Sequence, residues 1–276
     1  MGGLGNQLFQ IYTVISSAIR TKNRFAFLKT DSLGIGTTTV RPTYWLSFLS
    51  RLQPFLVIGF PKLTVIQEQS FHYNRIDLSN KELATHDICL NGYFQSYKYF
   101  YEYTDVINKM LNINQYKNNI IQNTTILHNN SNTVVSMHFR IGDFKMLQHV
   151  HPIINYEYYK KSLFVINQIT SNPIEVLYFC EDQDIIDVVE IINLLQTDFK
   201  CINFTRAPNN LHDWEQLLLM SCCNHNIIAN STFSWWGAYF NTTADKIVCY
   251  PSTWFHTDIK HNTNDLFPAN WHKICC

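Results

Sequence analysis

The chain has 276 residues, of which 46% are hydrophobic and 15% are charged, a composition that excludes a disordered tail or a short peptide. Lysine and arginine together number 21, as do aspartate and glutamate, so the formal net charge is zero. Binding of nucleic acid through a broad basic face needs an excess of cations, so no nucleic-acid partner is expected. The length corresponds to about one to two domains of roughly 150 residues.

The sequence predicts neither a membrane span nor a secretory signal. Its most apolar neighbourhood, residues 44–60, is interrupted by Arg51, Gln53 and Pro54 and falls short of the ~20 apolar residues of a spanning helix. The N-terminus has no basic stretch followed by an apolar run, so the expected location is cytoplasmic. The eight cysteines form no Cys-x-x-Cys pair, which favours free, mostly buried thiols over a zinc site.

Three of the nine glycines, Gly2, Gly3 and Gly5, lie within the first five residues. This concentration indicates a loop with positive φ angles or with a close backbone approach. Residues 7–20 then place apolar side chains at helical spacing, so the loop is predicted to open a helix. Such a loop normally follows a β-strand; here the first strand of the N-terminal domain is either missing or not needed.

An Asn-rich polar stretch, residues 108–132, is the best candidate for a domain junction, with a surface loop as the alternative. It divides the chain into domains 1–132 and 133–276. Beyond it, short apolar strands alternate with helices: strands at 133–139, 174–180, near 201, 226–229 and 246–250, and helices at 156–169, 184–195, 213–223 and from 231. Buried strands separated by helices indicate a parallel sheet in an α/β domain, whose ligands bind at the carboxyl ends of the strands.

The first of three polar strand ends contains Arg140 and Asp143. A fixed cation with an orienting carboxylate suits a phosphate or carboxylate ligand. The alternative is a local ion pair between the two residues that closes a turn.

Two further strand ends carry polar groups. Glu181 and Asp182 could accept hydrogen bonds from ribose hydroxyls or a base edge, or could cap the helix near residue 184. Ser231 and Thr232 are predicted to cap a helix whose free N–H groups make an anion site. The following tryptophans, residues 235 and 236, are expected to pack in the core rather than stack on a sugar. Convergence of the three ends on one diphosphate would make a nucleotide or nucleotide-sugar site.

Three segments resemble motifs of the α-1,2-fucosyltransferases of glycosyltransferase family 11: GGLGNQLFQ at 2–10, HFRIGD at 138–143 and HNIIANSTFSWWGAYFN at 225–241. Weaker similarities are NGYFQSYKYF at 91–100, FCED at 179–182 and YPSTWF at 250–255. The matches follow the family's order over nearly the whole chain. Ile141 stands where the family pattern has a second arginine.

The resemblance implies a GT-B-like fold, with two Rossmann-type domains facing a cleft. The C-terminal domain would hold the donor, and the Gly-rich loop of the N-terminal, acceptor-side domain would face it. The implied reaction is inverting transfer of L-fucose from the co-substrate GDP-β-L-fucose to the 2-hydroxyl of a galactose-containing glycan, with no metal or other cofactor. Asp182 and Asp184 have a spacing that holds a metal in other glycosyltransferases, but helix capping is favoured here.

The resemblance also implies roles for particular residues. Arg140 would neutralise charge on the β-phosphate, His138 would hold the nucleotide or glycosidic oxygen, and Asp143 would orient Arg140. The predicted donor-binding residues are Gly3, Gly5, Asn6, Gln7, Glu181, Asp182, Ser231, Thr232 and Ser234. No general base is identified.

Three other functions remain open at this stage. One is a GDP-fucose-binding protein with little or no turnover, which Ile141 and the short N-terminus favour. Another is an O-fucosyltransferase acting on protein, since that class shares a G-x-x-G-N-Q-like loop. The third is a structural α/β protein with no nucleotide site.

Overall fold

The structure is a computed structural model that describes residues 2–34, 40–60, 62–78, 87–128 and 131–276. The chain divides into two compact units, Met1–Gln115 with His261–Pro268, and Tyr116–Lys260 with Ala269–Cys276. The two units are groups of residues that contact one another, and such contacts do not show that either unit folds alone. The domain boundary between residues 132 and 133 therefore stays a prediction.

The first unit opens with the predicted helix, α1 (Leu4–Thr21), which begins three residues earlier than the apolar spacing indicated. The predicted positive φ occurs at Gly2, at +80°, where an added Cβ would strike the side chain of Asn6. Gly3 precedes the helix with φ −71°, and Gly5 lies inside it. The glycine cluster therefore combines one left-handed position with a helix start.

The remaining elements of the first unit are short. They are β1 (Phe27–Leu28), β2 (Ser32–Leu33), β3 (Arg41–Pro42), β4 (Leu56–Val57), β5 (Leu63–Gln67), β6 (Asp87–Asn91) and α2 (Thr104–Leu111). In the described part of this unit, β1 pairs with β4 and β5 with β6 in parallel, and β2 pairs with β3 antiparallel. The hydroxyl of Tyr12 in α1 donates to Asn108 Oδ1 in α2 over 2.7 Å, and both helices bury their apolar faces.

The Asn-rich stretch proposed as a junction or loop is largely helical, because α3 (Ile113–Asn123) occupies it. The second unit continues with β7 (Thr133–His138), α4 (Tyr156–Ile169), β8 (Ile174–Phe179), α5 (Ile185–Asp198), β9 (Asn203–Arg206), α6 (Asp213–Ser221), β10 (His225–Ile227), α7 (Thr232–Tyr239), β11 (Val248–Pro251) and β12 (His272–Ile274). The sequence predicted each of these except the edge strand β12.

The strands of the second unit form a six-stranded sheet in the order β12-β11-β10-β7-β8-β9, and every neighbouring pair is parallel. The predicted parallel sheet in an α/β unit is confirmed. Numbered within the unit, the strands run 6-5-4-1-2-3, which is the strand order of a doubly wound nucleotide-binding sheet. The chain leaves β7 toward β8 and later returns to β10 on its other side. The crevice above the carboxyl ends of β7 and β10 is therefore the topological switch point, where such sheets bind ligands.

A buried amide network joins the elements around this switch point. Asn226 of β10 is fully buried, and its Nδ2 donates to Ser136 Oγ of β7 over 2.7 Å and to the Met220 carbonyl of α6 over 2.8 Å. Asn241, just beyond α7, donates from Nδ2 to Asn226 Oδ1 over 2.8 Å. Because a buried amide without partners is costly, this network fixes the relative placement of the two strands and two helices.

Helix α7 packs tightly behind the switch point. Trp235 and Trp236 are both 0% exposed, which confirms that they belong to the core. A Cβ added to Gly237 would lie 2.9 Å from Met220 Cβ and 3.2 Å from the Leu217 carbonyl oxygen of α6. Glycine at this position thus permits the close approach of α6 and α7.

The structure also bears on the predictions about membrane-spanning segments and cysteines. Within the described residues, no helix has both the length and the apolar character needed to cross a membrane. All eight cysteines lie in the described part of the chain and are free thiols, as expected. The expectation that most are buried is wrong, because two are buried, three are half-buried and three are exposed.

Replacing Gly237 with alanine is expected to lower the free energy of unfolding by about 1–2 kcal/mol, because overpacking outweighs the gain in helix propensity. Urea unfolding measures this change. Gly59→Ala is the matched control, since an added Cβ there meets open space within 4 Å. Equal stability of the wild type and Gly237→Ala would show that α6 and α7 can separate at no cost.

Candidate functional site

Polar side chains converge at the carboxyl edge of the parallel sheet in the second unit. His138 at the end of β7 is in register with Phe179 at the end of β8, and Met137 is in register with Ile227 at the end of β10. The ring of His138 lies 5.6 Å from that of Phe233 in the first turn of α7. All three strand ends predicted from sequence therefore lie side by side on one edge.

Arg140 lies at this edge between two carboxylates. Its Nη2 donates to Asp143, and its Nη1 donates to Glu181 in the loop after β8. The guanidinium also lies 5.2 Å from the ring centre of Phe144, and its side chain is 20% exposed. The local ion pair between Arg140 and Asp143 is confirmed, and Glu181 adds a second carboxylate to it.

The loops after β7 and β8 are held against each other at Gly142. Its backbone N–H donates to Asp184 Oδ2 over 2.7 Å, and Asp184 is only 2% exposed. Gly142 has φ +21°, and an added Cβ would lie 3.1 Å from Glu181 Oε2. Glycine in the HFRIGD segment therefore lets the carboxylate loop approach Arg140.

The two carboxylates of the Asp-x-Asp segment have different partners. Asp182 pairs with Arg206, whereas Asp184 accepts from Gly142. Neither makes a side-chain cap hydrogen bond at a helix start, and Glu181 makes none either, so the capping interpretation of this segment is wrong. In the part of the chain that the structure describes, no three His, Cys, Asp or Glu side chains are grouped to hold a metal ion.

Arg206 is a member of this edge that sequence reasoning missed. It is the last residue of β9, and its side chain reaches the loop after β8, where it donates to Asp182. A strand was predicted near residue 201, but the residue at its end was not considered. The signal was available, since Arg206 follows the apolar strand residues just as Arg140 does.

His138 is a buried neutral imidazole. Burial, with a smaller contribution from the nearby Arg140, lowers the pKa of His138 to about 3. Its Nδ1 atom is buried, as is Oδ1 of Asn230 in the loop after β10, and neither has a hydrogen-bond partner among the described residues. Buried polar atoms are normally paired, so these two atoms are unsatisfied polar groups beside the carboxyl edge of the sheet.

The start of α7 has the predicted cap. Ser231 Oγ accepts from the Phe233 N–H over 3.3 Å, and Thr232 is the first helical residue. Ser234 is fully buried, and its hydroxyl donates to the Ser231 carbonyl over 3.3 Å. The cap interpretation is confirmed for Ser231 and is wrong for Thr232, which lies inside the helix. Contact of Ser231, Thr232 and Ser234 with a donor stays a prediction.

Two lysines hold the other end of α7. Lys117 Nζ donates to the Phe240 carbonyl and Lys246 Nζ to the Ala238 carbonyl, each over 2.8 Å. Burial lowers the pKa of both amines, and that of Lys246 falls to about 8. Donors at a helix C-terminus satisfy its carbonyls and complement the helix dipole.

Ile141 is 4% exposed and belongs to the apolar core of the second unit. The side chain thus points away from the edge on which Arg140 lies. An apolar residue at this position is consistent with its environment, because a buried guanidinium would need compensating partners.

The predicted residues of the N-terminal motif lie in the first unit. Gln7 is buried, and its Nε2 donates to the carbonyls of Gly2 and Pro42 over 3.1 and 2.9 Å. Asn6 Oδ1 accepts from Gln95 Nε2 over 2.9 Å. An added Cβ at Gly3 meets open space within 4 Å, and Gly5 is buried in α1. Roles for these residues in donor binding stay predictions.

The buried imidazole generates a pH prediction. Because the pKa of His138 is lower in the folded state than in the unfolded chain, only the unfolded chain gains this proton below about pH 6.5. The resulting stabilisation is present above that pH and is lost as the pH falls toward 3. Lowering the pH from 7 to 5 should therefore reduce the free energy of unfolding by about 2 kcal/mol through His138.

Urea unfolding at pH 7, 6 and 5 measures this loss, and His138→Gln should show a smaller pH dependence by that amount. The exposed His272 provides the control His272→Gln. An unchanged pH dependence in His138→Gln would contradict the assignment of a buried neutral imidazole.

Comparison with known proteins agrees with the motifs. The chain matches the family model described as Glycosyl transferase family 11 over residues 66–275. It is 32% identical over 190 residues to the O-antigen biosynthesis glycosyltransferase WbnK of Escherichia coli, and the match covers 66% of this chain and 59% of that protein. It is 26% identical to an alpha-1,2-colitosyltransferase of Escherichia coli, in an alignment that covers 99% of this chain and 96% of that protein. The family resemblance seen in the motifs is confirmed: the chain belongs to glycosyltransferase family 11 and is a glycosyltransferase.

Proposed function

We propose that this enzyme transfers L-fucose from GDP-β-L-fucose to the 2-hydroxyl of a galactoside, with inversion at the fucose C1 and without a metal ion. The observation that carries the proposal is the position of Arg140, a cation at the carboxyl edge of the sheet in a family 11 chain. Arg140 follows β7, whose last residue, His138, lies against Phe233 of α7. The proposal takes the GT-B-like arrangement as its frame, with the donor on the C-terminal domain, 133–276, and the acceptor on the N-terminal domain, 1–132.

The leaving group sets the main chemical demand. As the bond between C1 and the phosphate oxygen breaks, negative charge grows on the β-phosphate. Arg140 and the N–H groups of the first turn of α7, after Ser231 and Thr232, are preorganised donors for that charge. Their stabilisation increases in the transition state and therefore lowers the barrier.

Arg140 is paired with two carboxylates, so a diphosphate that binds this guanidinium competes with them. Glu181 is the carboxylate that yields in our proposal, because it is 48% exposed and belongs to a different loop from Arg140. Asp143, three residues from Arg140, stays in place and orients the guanidinium. The displaced Glu181, with neighbouring Asp182, then accepts hydrogen bonds from ribose hydroxyls or the base.

His138 takes a polar contact role and not a proton-transfer role. A group whose pKa is lowered to about 3 stays neutral at physiological pH. Its orphaned Nδ1 can hydrogen-bond a nucleotide or glycosidic oxygen, and orphaned Asn230 Oδ1 can accept from a sugar hydroxyl or base N–H. Asp143 is a weak candidate for general base, since transfer with carbocation character permits late proton loss.

On the acceptor side, Asn6 would contact the reacting sugar or the acceptor hydroxyl. The Gln7 amide holds the Gly2 and Pro42 carbonyls, which supports a role in shaping the Gly-rich loop around Gly3 and Gly5. The acceptor itself is a galactose-containing glycan.

A second donor is favoured by one relative. The Escherichia coli protein that aligns over 99% of this chain is named for transfer of colitose, the 3-deoxy analogue of L-fucose. The two sugars differ by one hydroxyl, and a site that hydrogen-bonds that hydroxyl would reject the sugar that lacks it. The other relative is named for O-antigen biosynthesis, which supports a glycan acceptor for this chain.

The wild type, incubated with GDP-L-fucose or GDP-L-colitose and a panel of β-galactosides, should form a product linked to the galactose 2-hydroxyl. Mass spectrometry and NMR identify the product and its anomeric configuration, and a chelator should leave the rate unchanged. Transfer to folded protein modules instead of galactosides would favour the protein O-fucosyltransferase alternative, and GDP binding without any product would favour the binding-protein alternative.

Arg140→Ala is expected to reduce the transfer rate about a hundred- to a thousandfold, because one preorganised donor to the leaving group is lost. The fold should persist, since partly exposed ion pairs contribute about 0–1 kcal/mol. Lys145→Ala is the matched control, because Lys145 pairs with Asp187 in the same region and has no assigned role. Turnover at the wild-type rate in Arg140→Ala would refute the assignment.

Glu181→Gln is expected to bind inorganic pyrophosphate about three- to tenfold more tightly than the wild type, because a carboxylate that competes for Arg140 is removed. Isothermal titration calorimetry measures the change. Asp187→Asn, which neutralises an exposed carboxylate paired with Lys145, is the control. Equal affinity in Glu181→Gln and the wild type would show that Glu181 does not compete with the diphosphate.

A further inference from the structure

One cation of the sheet edge has no role in the function proposed above. Arg206 ends β9, and its guanidinium pairs with Asp182 in the segment that follows β8. The Arg206 side chain is 27% exposed, so it is accessible from solvent while being held in one place. It lies outside every motif that resembles the family.

The topology of the sheet locates Arg206 relative to a bound nucleotide. Doubly wound sheets place the pyrophosphate at the switch point and the ribose against an acidic residue near the end of the second strand. In this unit the second strand is β8, which is followed by Glu181 and Asp182. A nucleotide bound in that direction runs from β7 across β8, so its base lies toward the third strand, β9.

Strand spacing is consistent with this direction. Neighbouring strands lie about 4.8 Å apart, so the end of β9 is roughly 10 Å from the end of β7 along the edge. A ribose and one phosphate separate the base from the β-phosphate in a nucleoside diphosphate, which is an extended molecule of comparable span. One ligand can thus contact Arg140 at the first strand and Arg206 at the third.

The guanidinium of arginine matches one nucleobase edge. Guanine presents two adjacent acceptors, O6 and N7, to which arginine donates two parallel hydrogen bonds. Adenine carries an amino donor in place of O6, which would face the donors of arginine, and pyrimidines have no N7. The carboxylate of Asp182 fixes the direction in which Arg206 presents its N–H groups.

We propose that Arg206 recognises the guanine of the donor by donating to O6 and N7, and that Asp182 is the positioning residue that holds it. The inference rests on the proposed function, because it concerns the base of the same GDP-sugar. It adds a residue that no motif marks, and it explains why the donor carries guanine rather than another base.

Binding of nucleoside diphosphates by isothermal titration calorimetry tests the inference. The wild type should bind GDP about ten- to a hundredfold more tightly than ADP, since one bidentate contact gives roughly that discrimination. In Arg206→Met the two affinities should agree within about threefold. Affinity for inorganic pyrophosphate should stay at the wild-type value, which also shows that the variant is folded.

The 7-deaza analogue of GDP isolates the contact. The wild type should bind it about tenfold more weakly than GDP, because one acceptor is lost. Arg206→Met should bind the two equally, since it has no donor that N7 could engage. Asp182→Asn should lower the preference for GDP over ADP without changing the melting temperature, a result that a purely structural ion pair would not give.

Lys145→Met is the matched control, because it removes another cation paired with a carboxylate in the same region. If the wild type binds GDP and Arg206→Met keeps its preference over ADP, the assignment of Arg206 is overturned while the proposed function stands. If the wild type binds no guanine nucleotide, the proposed function and this inference fail together.

Discussion

The parallel pairing of β7 with β8 on one side and β10 on the other is the constraint on which the candidate site depends. It places the topological switch point of the sheet at β7, between β8 and β10. The loops that follow these three strands come from distant parts of the sequence and leave the sheet at the same edge. The buried side-chain amide of Asn226 holds this arrangement, because it donates hydrogen bonds to β7 and α6 and accepts one from Asn241, just beyond α7. Loss of this pairing would separate the cation, the imidazole and the helix start from one another.

The electrostatics of the edge follow from that geometry. Arg140 and Arg206 each pair with a carboxylate of the loop after β8, and Arg140 has a second carboxylate within its own loop. An anionic ligand therefore meets cations that are oriented but already partnered. Helix α7 complements them, since Ser231 caps its N-terminus at this edge while Lys117 and Lys246 donate to the carbonyls at its other end. The carboxylates orient both guanidinium groups, and in the proposed function the diphosphate exchanges places with one of these partners.

Local patterns predicted much of the second unit. The apolar runs at β7 and β8 and the helical spacing at α4 fixed those elements to within a residue or so. Longer-range features were harder. The edge strand β12 was not predicted, because polar residues make up most of it, and the helix α3 lies in an Asn-rich stretch whose composition favours loops. The capping interpretation of Asp182 and Asp184 was wrong because both carboxylates have tertiary partners, Arg206 and the Gly142 amide, that their local sequence does not reveal.

The amino-acid sequence by itself determined the class of the protein, the α/β alternation of its C-terminal half and the strand ends at which chemistry is expected. These properties depend on short-range periodicity and on motifs, which are written in neighbouring residues. The tertiary structure decided which polar groups meet. Arg140 pairs with a residue 41 positions away, Arg206 with one 24 positions away, and Ile141 turns into the core while its neighbour faces the edge. Such pairings depend on the order of strands in the sheet, and that order is set by the packing of the whole unit rather than by any one segment.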